Sequence, residues 1–210
     1  MTFDVKARIL DTQVSKNRFD TLLELLNNLG LRGVLHLWNV KYENSFQSYH
    51  NYQHMISVAL ICHDAAEYHV LSRRDTTMLV LAALYHDIGH SGKKELSDVL
   101  NVSRSLVKAE RALRIIEPEL DDEAINIIIK LILVTENTHM IKADTRLERI
   151  IVDADILQNL ELDGKIWLDG LQDELGVEND GNSTKAFLRG RCKTEWAKLK
   201  IAHFDFTVLD

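Results

Sequence analysis

The sequence has few of the residues that interrupt helices or stabilise small domains by cross-links. Only one proline and nine glycines occur among its 210 residues. These two residue types are the ones that most often end or interrupt helices and strands. Two cysteines, Cys62 and Cys192, are too few for a disulfide framework. We therefore expect reduced thiols, as in a cytosolic protein.

Long apolar runs and long basic runs are also missing. No apolar stretch approaches the ~20 residues that a helix needs to cross a bilayer, and no run of Lys or Arg could follow a phosphate backbone. With a formal net charge of −7, we expect neither a membrane nor a nucleic-acid polymer as a partner. The first residues, MTFDVKARIL, lack the apolar core of a secretory signal, which favours a cytoplasmic location.

Apolar residues recur with the period of a helix along most of the chain, and hardly any segment alternates with period two. The hydrophobic content of 46% is enough for one domain with a sizeable core. We find no repeat, no low-complexity tract and no linker between domains. The sequence therefore predicts an all-α fold, a single-domain helical bundle over residues 1–210.

Several helix boundaries can be predicted. One helix covers about residues 49–68, and another starts with Asp75 as its N-cap and ends at the glycines of HDIGHSG. A motif-bearing core is expected over about residues 20–165. Further predictions are a helix opened by Ser103 or Ser105, a loop over residues 176–185 and a last helix over about residues 186–204 that packs on the core.

Three of the predicted helices carry polar groups where apolar ones would be expected. His50 and His54, four residues apart, would lie one turn apart on one helix face. His86 and Asp87 end an apolar helix, and two carboxylates interrupt the apolar run RIIVDADIL. A buried carboxylate without a partner costs several kcal/mol, and a divalent cation is the simplest common partner. Nitrogen and carboxylate ligands suit Mn, Fe, Co, Ni or Zn better than Ca, and Mg stays a candidate.

The order of these residues resembles a known family. His54, the doublet His86-Asp87 and Asp155 are similar to the H…HD…D pattern of the HD-domain metal-dependent phosphohydrolases, and the segments YHNYQHM, LYHDIGHSG and IIVDADIL resemble that family's motif segments. The resemblance implies a helical bundle of the HD-domain type that hydrolyses phosphoesters with a divalent metal ion.

Site residues follow from this resemblance. It implies that His54, His86, Asp87 and Asp155 bind one metal ion, and that Asp87 also accepts a proton from the attacking water. His50 matches the histidine with which cyclic-nucleotide phosphodiesterases of the superfamily protonate the leaving oxygen. A second ion stays open, because the chain lacks the His-His pair that two-metal members carry between the doublet and the last aspartate.

Other residues are candidates for contacts with the substrate. His90 lies where the motif has a second histidine for a second metal or for the substrate, and a cation at a helix end is an equal alternative. His139 matches a histidine that some members keep near the phosphate, with a helix cap as the alternative. Lys93 and Lys94 follow the doublet in a polar loop from which they could reach a substrate phosphate.

Residues of the same types elsewhere receive structural interpretations. A second doublet, His63-Asp64, lies nine residues after His54, about 13 Å along a helix, too far to share an ion with it. Asp153 should point away from the ion bound by Asp155 and could orient a ligand histidine. A solvated helix face is favoured over phosphate binding for Arg189, Arg191 and Lys193.

The resemblance implies a small phosphorylated substrate attacked by metal-activated water, with a nucleotide or deoxynucleotide as the first expectation. A cyclic-nucleotide phosphodiesterase is the alternative enzyme. A module that binds metal or nucleotide without turnover is the alternative from another class. The sequence does not decide between a monomer and a homo-oligomer.

Overall fold

The computed structural model describes residues 13–43, 47–91, 98–136, 142–161, 163–176 and 180–209. Within these ranges the chain forms helices and no strand, which confirms the predicted all-α fold. The α-helices are α1 (Gln13–Asn28), α2 (Gly33–Glu43), α3 (Tyr52–Tyr68), α4 (Arg73–Tyr85), α5 (Asp98–Ile116), α6 (Asp122–Leu133), α7 (Arg146–Leu157), α8 (Gly164–Leu175), α9 (Gly181–Arg191) and α10 (Glu195–His203). Two short 3₁₀ helices cover Gln158–Leu160 and Phe206–Leu209.

Helices α3 and α4 form the centre of the bundle. Helix α3 packs against α1, α4 and α7, and α4 also packs against α6. The last eight residues of α4, Met78 to Tyr85, are all buried, because neighbouring helices enclose it rather than leaving one face to solvent. Polar residues that follow the end of this helix therefore lie inside the protein.

The two central helices begin at side-chain caps. The Asn51 side chain accepts hydrogen bonds from the backbone N–H groups of Gln53 and His54, so α3 starts after His50 rather than before it. Helix α4 is capped by Ser72, whose hydroxyl accepts from the backbone N–H of Asp75. The prediction of Asp75 as the N-cap is wrong, since the chain enters the helix one turn earlier.

Helix α5 also begins earlier than predicted, at Asp98. Ser103 and Ser105 lie within the helix instead of opening it. The Ser103 hydroxyl donates to the backbone carbonyl of Val99, 2.7 Å away, which satisfies a serine inside a helix. Ser105 is buried and accepts a hydrogen bond from the backbone N–H of Gly89.

The C-terminal part differs most from the predictions. The single helix expected over residues 186–204 is two helices, α9 and α10, separated at Cys192 to Thr194. Helix α9 begins inside the predicted loop over residues 176–185, where Asp180 forms a capping box with Ser183. Helix α8 was not predicted at all. Both α9 and α10 contact α7.

Two further expectations concern thiols and membranes. Cys62 and Cys192 are free, and Cys62 is buried. Among the helices that the structure describes, none combines the length and the apolar character needed to cross a bilayer.

Candidate metal centre

The structure brings four of the predicted residues together inside the bundle. His54 projects from α3, His86 and Asp87 from the turn that ends α4, and Asp155 from α7. The Nε2 atoms of His54 and His86 are 3.1 Å apart. Asp87 Oδ2 lies 3.3 and 3.1 Å from these two nitrogens, and Asp155 Oδ1 lies 3.2 and 3.3 Å from them.

These separations fit ligands arranged around one small cation. Ligands that a transition metal holds at about 2.0–2.2 Å are themselves roughly 2.8–3.6 Å apart, for angles between 90° and tetrahedral. The five separations that involve an imidazole Nε2, 3.1–3.3 Å, all fall in this range. The ligand atoms of His54, His86 and Asp87 all lie within 4.8 Å of one another, and Asp155 is not part of that group. Two imidazole nitrogens and two carboxylate oxygens also form a suitable donor set for Mn, Fe, Co, Ni or Zn. His54, His86 and Asp87 therefore fit a divalent metal ion, and Asp155 places a further carboxylate beside both imidazoles.

In each imidazole the Nδ1 nitrogen forms a hydrogen bond with a group outside the cluster. His54 Nδ1 donates to Gln158 Oε1 at 2.6 Å, and His86 Nδ1 donates to the backbone carbonyl of Ala83 at 2.7 Å. A proton on Nδ1 leaves a lone pair on Nε2, which is the tautomer that binds a metal there. Gln158 was not predicted, although it follows Asp155 by three residues, a spacing that puts both on one side of a helix.

The orienting role predicted for Asp153 is wrong. Its two carboxylate oxygens accept the backbone N–H groups of Lys193 and Thr194, each at 2.7 Å. Positions two apart on a helix differ by about 200° around the axis, so Asp153 points away from Asp155 as expected. It holds the connection between α9 and α10 against α7 instead of contacting a ligand histidine.

Protons and a cation compete for the same atoms in this cluster. Burial alone would lower the pKa of His54, but hydrogen bonds to Asp155 and Asp87 raise it to about 9 in the metal-free protein. Burial also opposes a charge on His86, yet the neighbouring carboxylates raise its pKa well above the usual value. Burial would raise the pKa of Asp87, but the charges of the histidines hold it well below its usual range. In the metal-free protein the carboxylates therefore favour the protonated form of these imidazoles.

We expect metal binding near neutral pH to release protons. Because the carboxylates raise the pKa of His54 to about 9 and also raise that of His86, a metal must displace protons from the imidazoles to reach both Nε2 atoms. The apparent affinity should therefore rise with pH until about pH 9 and fall as the medium becomes more acidic. Titration calorimetry in buffers of different ionisation enthalpy measures the number released. Binding without proton release would contradict ligation by these imidazoles.

The Glu174 carboxylate holds His50 beside the four candidate ligands. His50 lies in the turn before α3, yet its ring centroid is 5.8 Å from that of His54. Its Nδ1 hydrogen-bonds Glu174 Oε1, and its Nε2 lies 4.0 Å from Asp87 Oδ2. Glu174 Oε2 also accepts the backbone N–H groups of Tyr49 and His50, at 2.9 and 3.2 Å. The carboxylate thus fixes the imidazole with Nε2 directed to the cluster.

His90 packs directly on His50 and Glu174. Its ring stacks on His50 with centroids 3.5 Å apart, and its Nδ1 lies 3.5 Å from Glu174 Oε1. Burial and the charge of His50 lower the pKa of His90 to about 4, which argues against a cation at a helix end. His50, His90 and Glu174 place one ligand atom each within 4.8 Å of one another. They form a second arrangement of atoms that could hold a cation.

Helix α8, which follows the motif segments in the sequence, covers the cluster. Trp167 is fully buried, and its ring lies 6.1 Å from that of Tyr49 and 6.4 Å from that of His54. Glu174 follows Trp167 by seven residues, so both reach the same side of α8. Glu174 was not predicted, because nothing local distinguishes it from the other acids of LDGLQDEL.

Close packing at Gly89 holds the turn that carries the doublet. Its backbone N–H donates to Ser105 Oγ at 3.0 Å, and a Cβ on Gly89 would clash with the backbone of Arg104 and Ser105. Glycine is therefore required for the close approach of α5 to His86 and Asp87.

The remaining predictions concern residues outside the described ranges and the second His-Asp doublet. Lys93, Lys94 and His139 lie outside the described residues, and their contacts with a substrate stay predictions. In the second doublet, His63 is half-buried, and Asp64 is exposed and pairs with Lys200 at 2.7 Å. The structural interpretation of that doublet is confirmed.

Comparison with known proteins identifies the motif-bearing part. A model of the HD domain matches residues 51–160, which is 110 of the 210 residues. Curated proteins gave no match to the chain. The matched region contains all four candidate ligands and ends before Glu174. HD domains are typical of metal-dependent hydrolases, and the chain belongs to the HD-domain family.

Proposed function

We propose that the protein is a metal-dependent phosphohydrolase acting on a small phosphorylated substrate, with a nucleotide or deoxynucleotide as the preferred class. The observation that carries this proposal is that Asp87 and Asp155 each lie 3.1–3.3 Å from the Nε2 atoms of His54 and His86, which are 3.1 Å apart. Membership of the HD-domain family supports it. A cavity of about 430 Å³ next to Asp155 supports a substrate of nucleotide size.

A bound divalent ion supplies an acidified water and positive charge for a phosphoryl oxygen. His54 and His86 hold their Nε2 atoms in place for it through the hydrogen bonds of Nδ1. Asp87, which stays ionised near neutral pH, accepts the proton of the attacking water. His50, oriented by Glu174, donates a proton to the leaving oxygen.

The test of this function is phosphate release from a panel of nucleoside mono-, di-, tri- and cyclic phosphates, with Mn, Fe, Co, Ni, Zn or Mg added in turn. We expect turnover of at least one nucleotide, lost on chelation and restored when the metal is added back. Binding of metal or nucleotide without turnover of any member would contradict the proposal. That result would identify a non-catalytic binding module.

A cyclic-nucleotide phosphodiesterase is the second candidate, favoured by the position of His50. Opening a cyclic phosphodiester expels a sugar alkoxide, which is a poor leaving group and needs a proton as it departs. The Nε2 atom of His50, 4.0 Å from Asp87 Oδ2, is suitably placed for that transfer. Preferential turnover of the cyclic members of the panel would favour this alternative.

A further inference from the structure

Gln158 follows the last aspartate of the cluster by three residues. It is the first residue of the 3₁₀ helix Gln158–Leu160, which comes directly after α7 and packs against α3. Its side chain is fully buried, and its Oε1 lies 2.6 Å from His54 Nδ1. The amide therefore contacts a candidate metal ligand through the ring nitrogen that takes no part in the cluster.

The other half of the Gln158 amide is not satisfied by the protein. Its Nε2 is buried and has no hydrogen-bond partner among the residues that the structure describes. A buried donor without an acceptor costs stability, and an apolar side chain of similar size would avoid that cost. Packing alone therefore gives no reason for a glutamine at this position, whereas the hydrogen bond with His54 does.

Both candidate imidazole ligands donate to neutral acceptors. His86 Nδ1 donates to the backbone carbonyl of Ala83 at 2.7 Å, an acceptor that no side-chain substitution removes. His54 Nδ1 donates to the neutral amide of Gln158. A carboxylate in either place would make the imidazole more basic and thereby a stronger metal ligand. The chain therefore uses the weaker kind of acceptor for both histidines.

The charges of the cluster explain why a neutral acceptor suits this position. The carboxylates of Asp87 and Asp155 carry two negative charges beside the imidazoles, which balance one divalent cation. Glu174 is paired with His50. A further buried carboxylate at the cluster would leave an excess of negative charge, which burial disfavours. It would also hold the cation more firmly and weaken the positive charge that acts on a phosphoryl oxygen.

We infer that Gln158 is a positioning residue that sets how tightly the centre holds its divalent ion. It fixes the imidazole of His54 through Nδ1, and as a neutral acceptor it keeps the affinity below the value that a carboxylate would give. The inference rests on the metal centre of the proposed function but not on hydrolysis. It concerns a residue that contacts neither the ion nor the substrate and acts through His54.

The test measures the dissociation constant for Mn or Co in the wild type, Gln158→Met and Gln158→Glu, by titrating metal into the metal-free proteins. Methionine is similar in length but lacks a strong acceptor for the Nδ1 proton, so the dissociation constant should rise about 10- to 100-fold. Glutamate keeps the shape and offers a charged acceptor, so the constant should fall about tenfold. A merely structural role predicts weaker binding in both variants.

Gln53→Met is the matched control. Gln53 is also a buried glutamine and is next to His54 in the chain, but its Oε1 has no partner among the described residues and so supports no ligand. Its dissociation constant should stay at the wild-type value, and thermal unfolding of the metal-free proteins checks that each variant is folded. Unchanged affinity in Gln158→Met, weaker binding in Gln158→Glu, or an equal loss in the control would overturn the inference and leave the proposed function standing. A wild-type protein that binds no metal would overturn both.

Discussion

Replacing Asp87 with alanine is expected to reduce kcat/KM by at least about a thousandfold, or ~4 kcal/mol of transition-state stabilisation. The substitution removes the carboxylate whose Oδ2 lies 3.3 Å from His54 Nε2 and 3.1 Å from His86 Nε2. It also removes the group that we propose accepts the proton of the attacking water. The measurement is steady-state hydrolysis of the best substrate of the nucleotide panel, with metal in excess.

The second His-Asp doublet provides the matched control. Asp64 follows a histidine in the same way as Asp87, but it is exposed and pairs with Lys200. An exposed ion pair contributes only about 0–1 kcal/mol to stability, so the Asp64→Ala variant should keep wild-type activity within about twofold. Comparable losses in the two variants, or full activity after Asp87→Ala, would contradict the site.

Replacing His50 with alanine is expected to have a large effect that depends on the leaving group. General acid catalysis contributes about 10²- to 10⁴-fold, and we expect a loss of that size on a substrate that expels a sugar alkoxide. Nitrophenolate leaves without a proton, so the loss on a nitrophenyl ester should be small. The measurement is the ratio of kcat/KM for the two substrates in the wild-type and variant proteins.

A Glu174 variant also tests whether His50 acts as the general acid. Glu174 fixes His50 through Nδ1 and through the backbone N–H, so Glu174→Gln should cause a smaller loss with the same dependence on the leaving group. If His50, His90 and Glu174 instead hold a second ion, His50→Ala would cost the same on both substrates and lower the metal content. That outcome would remove His50 from the role of acid.

The metal ligands could be predicted because each is a polar residue in an apolar helix. His86 follows eight buried residues of α4, so its side chain is expected to be buried as well. A buried imidazole needs a polar partner inside the protein. The order His54, His86-Asp87, Asp155 then matches one family pattern. These signals are local, and they depend on spacing that a sequence displays directly.

The residues that support the ligands could not be predicted, because tertiary contacts select them. Glu174 reaches His50 across 124 positions of the chain, and its own helix shows no motif. The break between α9 and α10 depends on Asp153, which accepts two backbone N–H groups from residues 40 and 41 positions away. Apolar periodicity does not report such contacts, so the sequence predicted one helix where the structure has two.

The most direct test of the account is the metal content of three proteins, wild type, His86→Ala and His63→Ala, after loading with Mn or Co and removal of free metal. Elemental analysis should find about one tightly held ion per chain in the wild type and in His63→Ala, and little in His86→Ala, whose Nε2 ligand is missing. Equal metal in all three proteins, or none in the wild type, would contradict the claim that His54, Asp87 and Asp155 hold one cation together with His86.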